Sequence, residues 1–233
     1  MVPAVTPTSL SFPETRPLPG QGLHSGPHRI DLNGHSVQRL LAIDKPPLVV
    51  LANLLSASEC TALIDAARPH MARSLTVQQH TGGEERNAHR TSDGMFFQRA
   101  ETPLVQHIEE RLSRLLGWPA GNCEGLQVLR YGPGAEYRPH YDYFDPAEPG
   151  TSTLLQRGGQ RLATLLIYLN TPDEGGATTF PDLGLEVAPL RGHAVFFRYD
   201  QPHPSSRTLH GGAPVVTGEK WVATQWLRER KFD

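Results

Sequence analysis

No stretch of this chain is apolar over the roughly 18–20 positions that a bilayer-spanning helix needs. The longest, "PPLVVLANLL", is interrupted by Asn53 and reads as a buried strand running into a helix start. Cysteine is equally scarce: Cys60 and Cys123 are the only two in 233 residues, far apart and outside any CxxC spacing. Two such thiols build no disulfide framework and suit a reducing compartment. An excess of charge of one sign is missing too. A net charge of −2 and an isoelectric point near 6.6 give the chain no electrostatic pull toward nucleic acid or an anionic membrane. The first residues carry no basic segment followed by an apolar core, so no secretory signal is expected and the expected location is cytoplasmic.

What is present divides the chain in two. Residues 1–37 are expected to be a flexible arm. Their first 28 are rich in Pro, Gly, Ser and Thr without apolar periodicity, a composition that buries little surface. Residues 38–233 are expected to be one domain. In "LSASECTALIDAARP", Ser56 and Glu59 form a capping box ahead of Leu63, Ile64 and Ala67, which predicts a helix over about 56–68. In "ETPLVQHIEERLSRLLGWP", Thr102 caps and Pro103 opens a second helix over 103–116, with Val105, Ile108, Leu112, Leu115 and Leu116 on one face. From about residue 120 to 230, short β-branched and aromatic runs alternate with turn clusters such as "YGPGAE", "TPDEGG" and "HGGAP". The expected class is mainly β with supporting helices packed on an antiparallel sandwich or barrel.

The chemistry concentrates in "RPHYD". In an extended strand, positions two apart share a face, so His140 and Asp142 project together as two parts of a metal site. A third ligand must come from elsewhere. Most of the eleven histidines lie in the arm, near the first helix or in polar loops. His210 stands apart, following the possible strand "RTLH" and preceding "GGAP", read as a turn that leaves its face open. Ten residues on, Lys220 starts a strand whose face continues through Val222, Thr224 and Trp226. A lysine at the head of such a face calls for an anion. Two histidines and one carboxylate suit Fe(II) in an oxygen-activating enzyme and equally zinc in a hydrolase. Lys220 favours the oxygenase, which needs a cation for the far carboxylate of a dicarboxylate cosubstrate.

From about residue 45 to 231 the chain resembles the prolyl 4-hydroxylase branch of the Fe(II)/2-oxoglutarate dioxygenases, through "LQVLRYGPGAEYRPHYDYFD", "GGQRLATLLIYLNTPDEGGATTFPD", "GHAVFF" and "LHGGAPVVTGEKWVATQWLRE". Its shortness resembles the compact microbial members. The resemblance implies a double-stranded β-helix (jelly-roll) core, with His140, Asp142 and His210 as iron ligands. It implies that Lys220 binds the 5-carboxylate of 2-oxoglutarate, with Tyr131 hydrogen-bonding the same end and Thr178 close by. Arg161, Tyr137 and Trp226 would lie near the substrate. Fe(II), 2-oxoglutarate, O2 and ascorbate are the implied cofactors, and the implied substrate is proline in a peptide or protein. A free amino acid or other small metabolite is the alternative. The polar stretches 77–95 and 144–160 are long enough to cover a substrate.

Overall fold

The computed structural model describes residues 18–74 and 91–233, and residues 76–77 and 84–85 as strand backbone only. Residues 1–17 of the expected arm lie outside the described residues, as do 78–83 and 86–90 of the expected covering stretch.

One large antiparallel sheet organises the chain. In chain order its strands are β1 (Arg29–Leu32), β2 (His35–Ile43), β3 (Leu48–Ala52), β4 (Ala72–Arg73), β5 (Asp93–Phe96) and β6 (Gln127–Tyr131). A smaller four-stranded sheet starts with β7 (Tyr137–His140); the large sheet resumes with β8 (Arg161–Tyr168), and β9 (Thr178–Phe180) and β10 (Leu185–Val187) belong to the small one. The large sheet then takes β11 (Ala194–Arg198), the small sheet β12 (His210–Gly212), and the large sheet β13 (Lys220–Arg228). The spatial orders are β1-β2-β3-β11-β8-β13-β6-β5-β4 and β10-β9-β12-β7. The small sheet faces one side of the large one, and the helices cover the other.

Period-two alternation divides the large sheet between those two faces. Ala163, Leu165 and Ile167 of β8, Trp221 and Ala223 of β13 and Phe196 of β11 point to the helix side. Tyr168, Val222, Val195 and Phe197 point to the small sheet, meeting Phe180 and Val187 there. β13 is buried along its whole length because both faces are covered.

Four helices complete the fold: α1 (Gly22–Ser25), α2 (Ala57–Ala67), α3 (Pro103–Leu116) and α4 (Thr151–Gln156). Helix α2 starts where its capping box requires. The Ser56 hydroxyl accepts from Glu59 N at 3.2 Å, and Glu59 Oε2 accepts from Ser56 N at 2.8 Å. Arg111 of α3 forks onto the Glu59 carboxylate at 2.7 and 2.9 Å, joining the two helices. Burial alone would raise the Glu59 carboxyl, but Arg111 and the Ser56 bonds outweigh it and hold the group at about 2. Thr102 caps α3, and Gly117 ends it in the left-handed conformation at φ 58°.

The expected domain start at residue 38 falls inside β2, so the boundary lies earlier. Leu23 and Val37 are buried in the helix-side core, Gly20 N donates to Leu116 O at 2.8 Å, and β1 pairs with β2. Isolated apolar residues among Pro and Gly carry no period, which is why composition misses them. The stretch 144–160 also differs from an open loop, since it contains α4. Gln160 staples its base, accepting from Phe144 N and donating to Phe144 O, both at 2.8 Å.

Candidate active site

Strands β7 and β12 run side by side in the small sheet, and their register sets His140 directly opposite His210. The pair can approach because the next residue of β12 is glycine. A Cβ on Gly211 would sit 2.9 Å from the carbonyl oxygen of Tyr137. Gly211 and Gly212 are therefore strand residues, not the turn expected after His210. His210 itself opens β12 instead of closing a preceding strand.

Asp142 is not on a strand either. β7 ends at His140, and Asp142 lies in the bend that follows. It converges on the histidines because the large sheet holds it. Thr164 Oγ1 of β8 donates to Asp142 Oδ2 at 2.7 Å, and Arg161 Nη1 donates to its carbonyl at 3.3 Å. His140 Nε2 lies 3.4 Å from Asp142 Oδ1, and His210 Nε2 lies 3.4 Å from Oδ2. All three potential ligand atoms fall within 4.8 Å of one another, the only such cluster among the described residues.

The donor set fits a divalent metal. His140 Nδ1 is 2.9 Å from Arg138 O and His210 Nδ1 is 3.0 Å from Thr208 O. A carbonyl only accepts, so each Nδ1 carries the proton and each Nε2 turns a lone pair inward. Burial, and His210 beside it, push the His140 imidazolium down. Burial alone would raise the Asp142 carboxyl, yet charge and hydrogen bonds from His210 and His140 in their protonated form hold it well below the usual range. Two neutral imidazoles and one carboxylate are what a dication binds.

A cleft open to solvent runs from these residues past Thr178 to Lys220. Lys220, Val222, Thr224 and Trp226 all line it, as their shared parity implies. Lys220 is only 4% exposed and, among the described residues, no carboxylate pairs with it. Burial pushes its ammonium down to about 8. Its Nζ lies 5.6 Å from the Tyr131 ring, set opposite by register, and 5.8 Å from the Tyr168 ring. Tyr168 donates its hydroxyl to Thr178 Oγ1 at 2.8 Å. The pocket thus sets one cation beside Tyr131 and the Thr178 hydroxyl, with Tyr168 buried behind Thr178. Tyr168 was missed in the sequence, although it shares its strand face with Thr164 and Leu166.

The three expected substrate residues are brought to one edge of the cleft. Tyr137 stacks on His140 with centroids 3.6 Å apart. Trp226 is nearly buried, its indole N–H without a hydrogen-bond partner among the described residues. Arg161 lies over the Trp226 ring at 4.0 Å. Its guanidinium does not face the cleft as a free cation, however. It is committed to Glu124, with Nε to Oε1 at 2.7 Å and Nη2 to Oε2 at 2.9 Å. A bulge between Arg161 and Ala163 turns Arg161 onto the cleft side, opposite Arg228, which also donates to Glu124 at 2.9 Å. Arg228 further donates to the carbonyls of Leu154, Arg157 and Gly159, pinning α4 and its exit to the large sheet.

Glu124 is therefore the keystone of two buried arginines. Replacing it with leucine leaves both cations without a counter-charge and Arg228 buried, at a cost of about 3–5 kcal/mol. Urea unfolding of Glu124→Leu should show that loss at an unchanged m-value; a midpoint like the wild type's would refute the assignment.

The chain was compared with known proteins. Residues 126–228 match the family model described as the 2OG-Fe(II) oxygenase superfamily. Prolyl 4-hydroxylase 5 of Arabidopsis thaliana is 40% identical over 209 residues, covering 81% of this chain and 70% of that protein. Prolyl 4-hydroxylase 1 of the same plant is 40% identical over 204 residues, covering 79% and 70%. Among solved structures, the viral collagen prolyl hydroxylase of Paramecium Bursaria Chlorella virus-1, in its 2OG complex, superposes with a TM-score of 0.60 at 33% identity. That match covers 78% of this chain and 95% of the viral one. A Pseudomonas putida prolyl-4-hydroxylase shares the fold, with a TM-score of 0.54 at 20% identity over 78% of this chain and 92% of that one.

Proposed function

The chain belongs to the prolyl 4-hydroxylase family of the 2OG-Fe(II) oxygenases, and on that premise we propose that it hydroxylates proline in a peptide or protein. The reaction consumes O2 and 2-oxoglutarate and releases succinate and CO2. The observation that carries this reading is one cleft lined by His140, Asp142 and His210 at one part and by the unpaired, buried Lys220 at another.

His140, Asp142 and His210 would hold Fe(II), which when bound supplies activation of O2 and oxidation of the substrate carbon. The protein's part is position and charge. Lys220 receives the far carboxylate of 2-oxoglutarate in a site shielded from water, where a charge-assisted hydrogen bond is strongest. Tyr131, opposite Lys220 in the strand register, and Thr178 line the same end. The aromatic edge of Tyr137 and Trp226 gives a proline ring flat surfaces to lie against.

Ascorbate as reductant and a cytoplasmic setting belong to the same proposal. Both cysteines are free and buried, and burial pushes the thiols up to about 11 for Cys60 and about 12 for Cys123. Such thiols have no need of an oxidising compartment.

The test is mass spectrometry of proline-containing peptides incubated with the protein, Fe(II), ascorbate and 2-oxoglutarate. A gain of one oxygen on proline, lost when 2-oxoglutarate is withheld, is the expected result. Succinate formation with oxygen found only on free amino acids would move the substrate from peptides to metabolites.

A further inference from the structure

Behind Asp142, on the side away from the histidines' own sheet, stands a second hydroxyl that none of the roles above uses. Tyr199 follows directly on β11 and is 5% exposed. Its ring is walled by Phe197 and Tyr143, with centroids at 5.9 and 6.0 Å. Its hydroxyl lies against Thr164 Oγ1 and 3.5 Å from Asp142 Oδ2. Among the described residues it has no other hydrogen-bond partner. A phenol placed in a hydrophobic wall with its one polar atom aimed at a metal ligand's support is costly unless that contact matters.

The direction of the bonds follows from donor counting. The ionised Asp142 carboxylate only accepts. Thr164 has one proton and gives it to Oδ2 at 2.7 Å, so its lone pairs are left to accept from Tyr199. The 3.5 Å from Tyr199 to Oδ2 is too long to compete with that route. Each bond in such a chain polarises the next.

We propose that Tyr199, acting through Thr164, is a positioning residue for the metal centre: the relay Tyr199–Thr164–Asp142 holds Oδ2 so that the carboxylate offers the metal Oδ1. One-point ligation keeps coordination positions open for 2-oxoglutarate and O2, where a carboxylate free to rotate could take two. The proposal rests on the metal-centre reading above.

The test needs no turnover. Metal-stripped full-length protein is titrated with Co(II), following the visible d–d bands for both affinity and ligand geometry. Thr164→Val should bind Co(II) about 10–100-fold more weakly, the range for loss of an outer partner, with altered bands. Thr164→Ser, which keeps the hydroxyl, should restore both. Tyr199→Phe should fall between wild type and Thr164→Val. Since the two hydroxyls act in series, the double variant should match Thr164→Val to within about twofold. Wild-type affinity and bands in Tyr199→Phe, or fully additive losses in the double variant, would overturn the relay while leaving the metal centre standing. If Thr164→Val does not fold, Tyr199→Phe and Thr164→Ser decide between them. A wild-type chain that binds no Co(II) would overturn the metal centre and the relay together.

Discussion

Asp142→Ala is expected to abolish hydroxylation, with product below about one-thousandth of the wild-type rate, and to weaken Fe(II) binding by more than the 10–100-fold typical of losing an outer partner. Alanine leaves two neutral imidazoles facing each other at a centroid distance of 4.4 Å, with no charge to balance a dication. The substitution also strands Thr164 and Tyr199, whose hydroxyls lose the acceptor at the end of their chain. The fold should survive, because the Asp142 carbonyl keeps its bond from Arg161 and the two sheets are assembled by apolar residues on either side. Circular dichroism provides the control, and peptide mass spectrometry with a metal titration provides the readout. Wild-type product yield from a folded Asp142→Ala protein would remove Asp142 from the metal centre.

Replacing Lys220 acts at the other end of the cleft. Loss of a buried, charge-assisted contact costs about 3–5 kcal/mol, so Lys220→Ala should raise the KM for 2-oxoglutarate by 100-fold or more, as an order of magnitude. The effect on kcat should be smaller, since the contact is the same before and during reaction. An unchanged KM would exclude Lys220 as the anchor.

Acidity gives the same residue a second signature. Burial lowers the folded amine to about 8 from the ordinary 10.5. Between these values the unfolded chain holds the extra proton, so the stability of the empty protein rises with pH across that window. Below pH 8 the full cost of the buried charge is present, about 3 kcal/mol. Cosubstrate affinity runs the opposite way: the far carboxylate needs the protonated amine, so KM should climb above pH 8. Lys220→Met removes the buried charge while filling its space. It should melt higher than the wild type without ligand at neutral pH, and gain nothing from added 2-oxoglutarate. A lower melting temperature would argue that the empty pocket does not strain the fold.

Legibility in the sequence followed locality. Helices α2 and α3 were readable because Ser56, Glu59, Thr102 and Pro103 act within one turn of the residues they cap. The faces of β13 were readable because alternation is a property of neighbours. His140, Asp142, His210 and Lys220 were legible as motifs in turn-bounded segments. Asp142's place beyond the strand was not, since only the contacts from Thr164 and Arg161 fix it. Glu124 and Tyr199 act on partners 37 and 35 positions away, the first at the point where a bulge shifts the β8–β13 register and the second across the β8–β11 pairing. Nothing in "CEGL" or "RYD" marks them. Arg161 lies beside Trp226 at the edge of the cleft, but its engagement with Glu124 depends on that same distant pairing.

The architecture has a mechanical side. Both histidines ride on the small sheet, whereas Asp142 is tied by Thr164 and Arg161 to the large one. A cation bound by all three would therefore act as a rivet through the seam of the sandwich, bracing one sheet against the other.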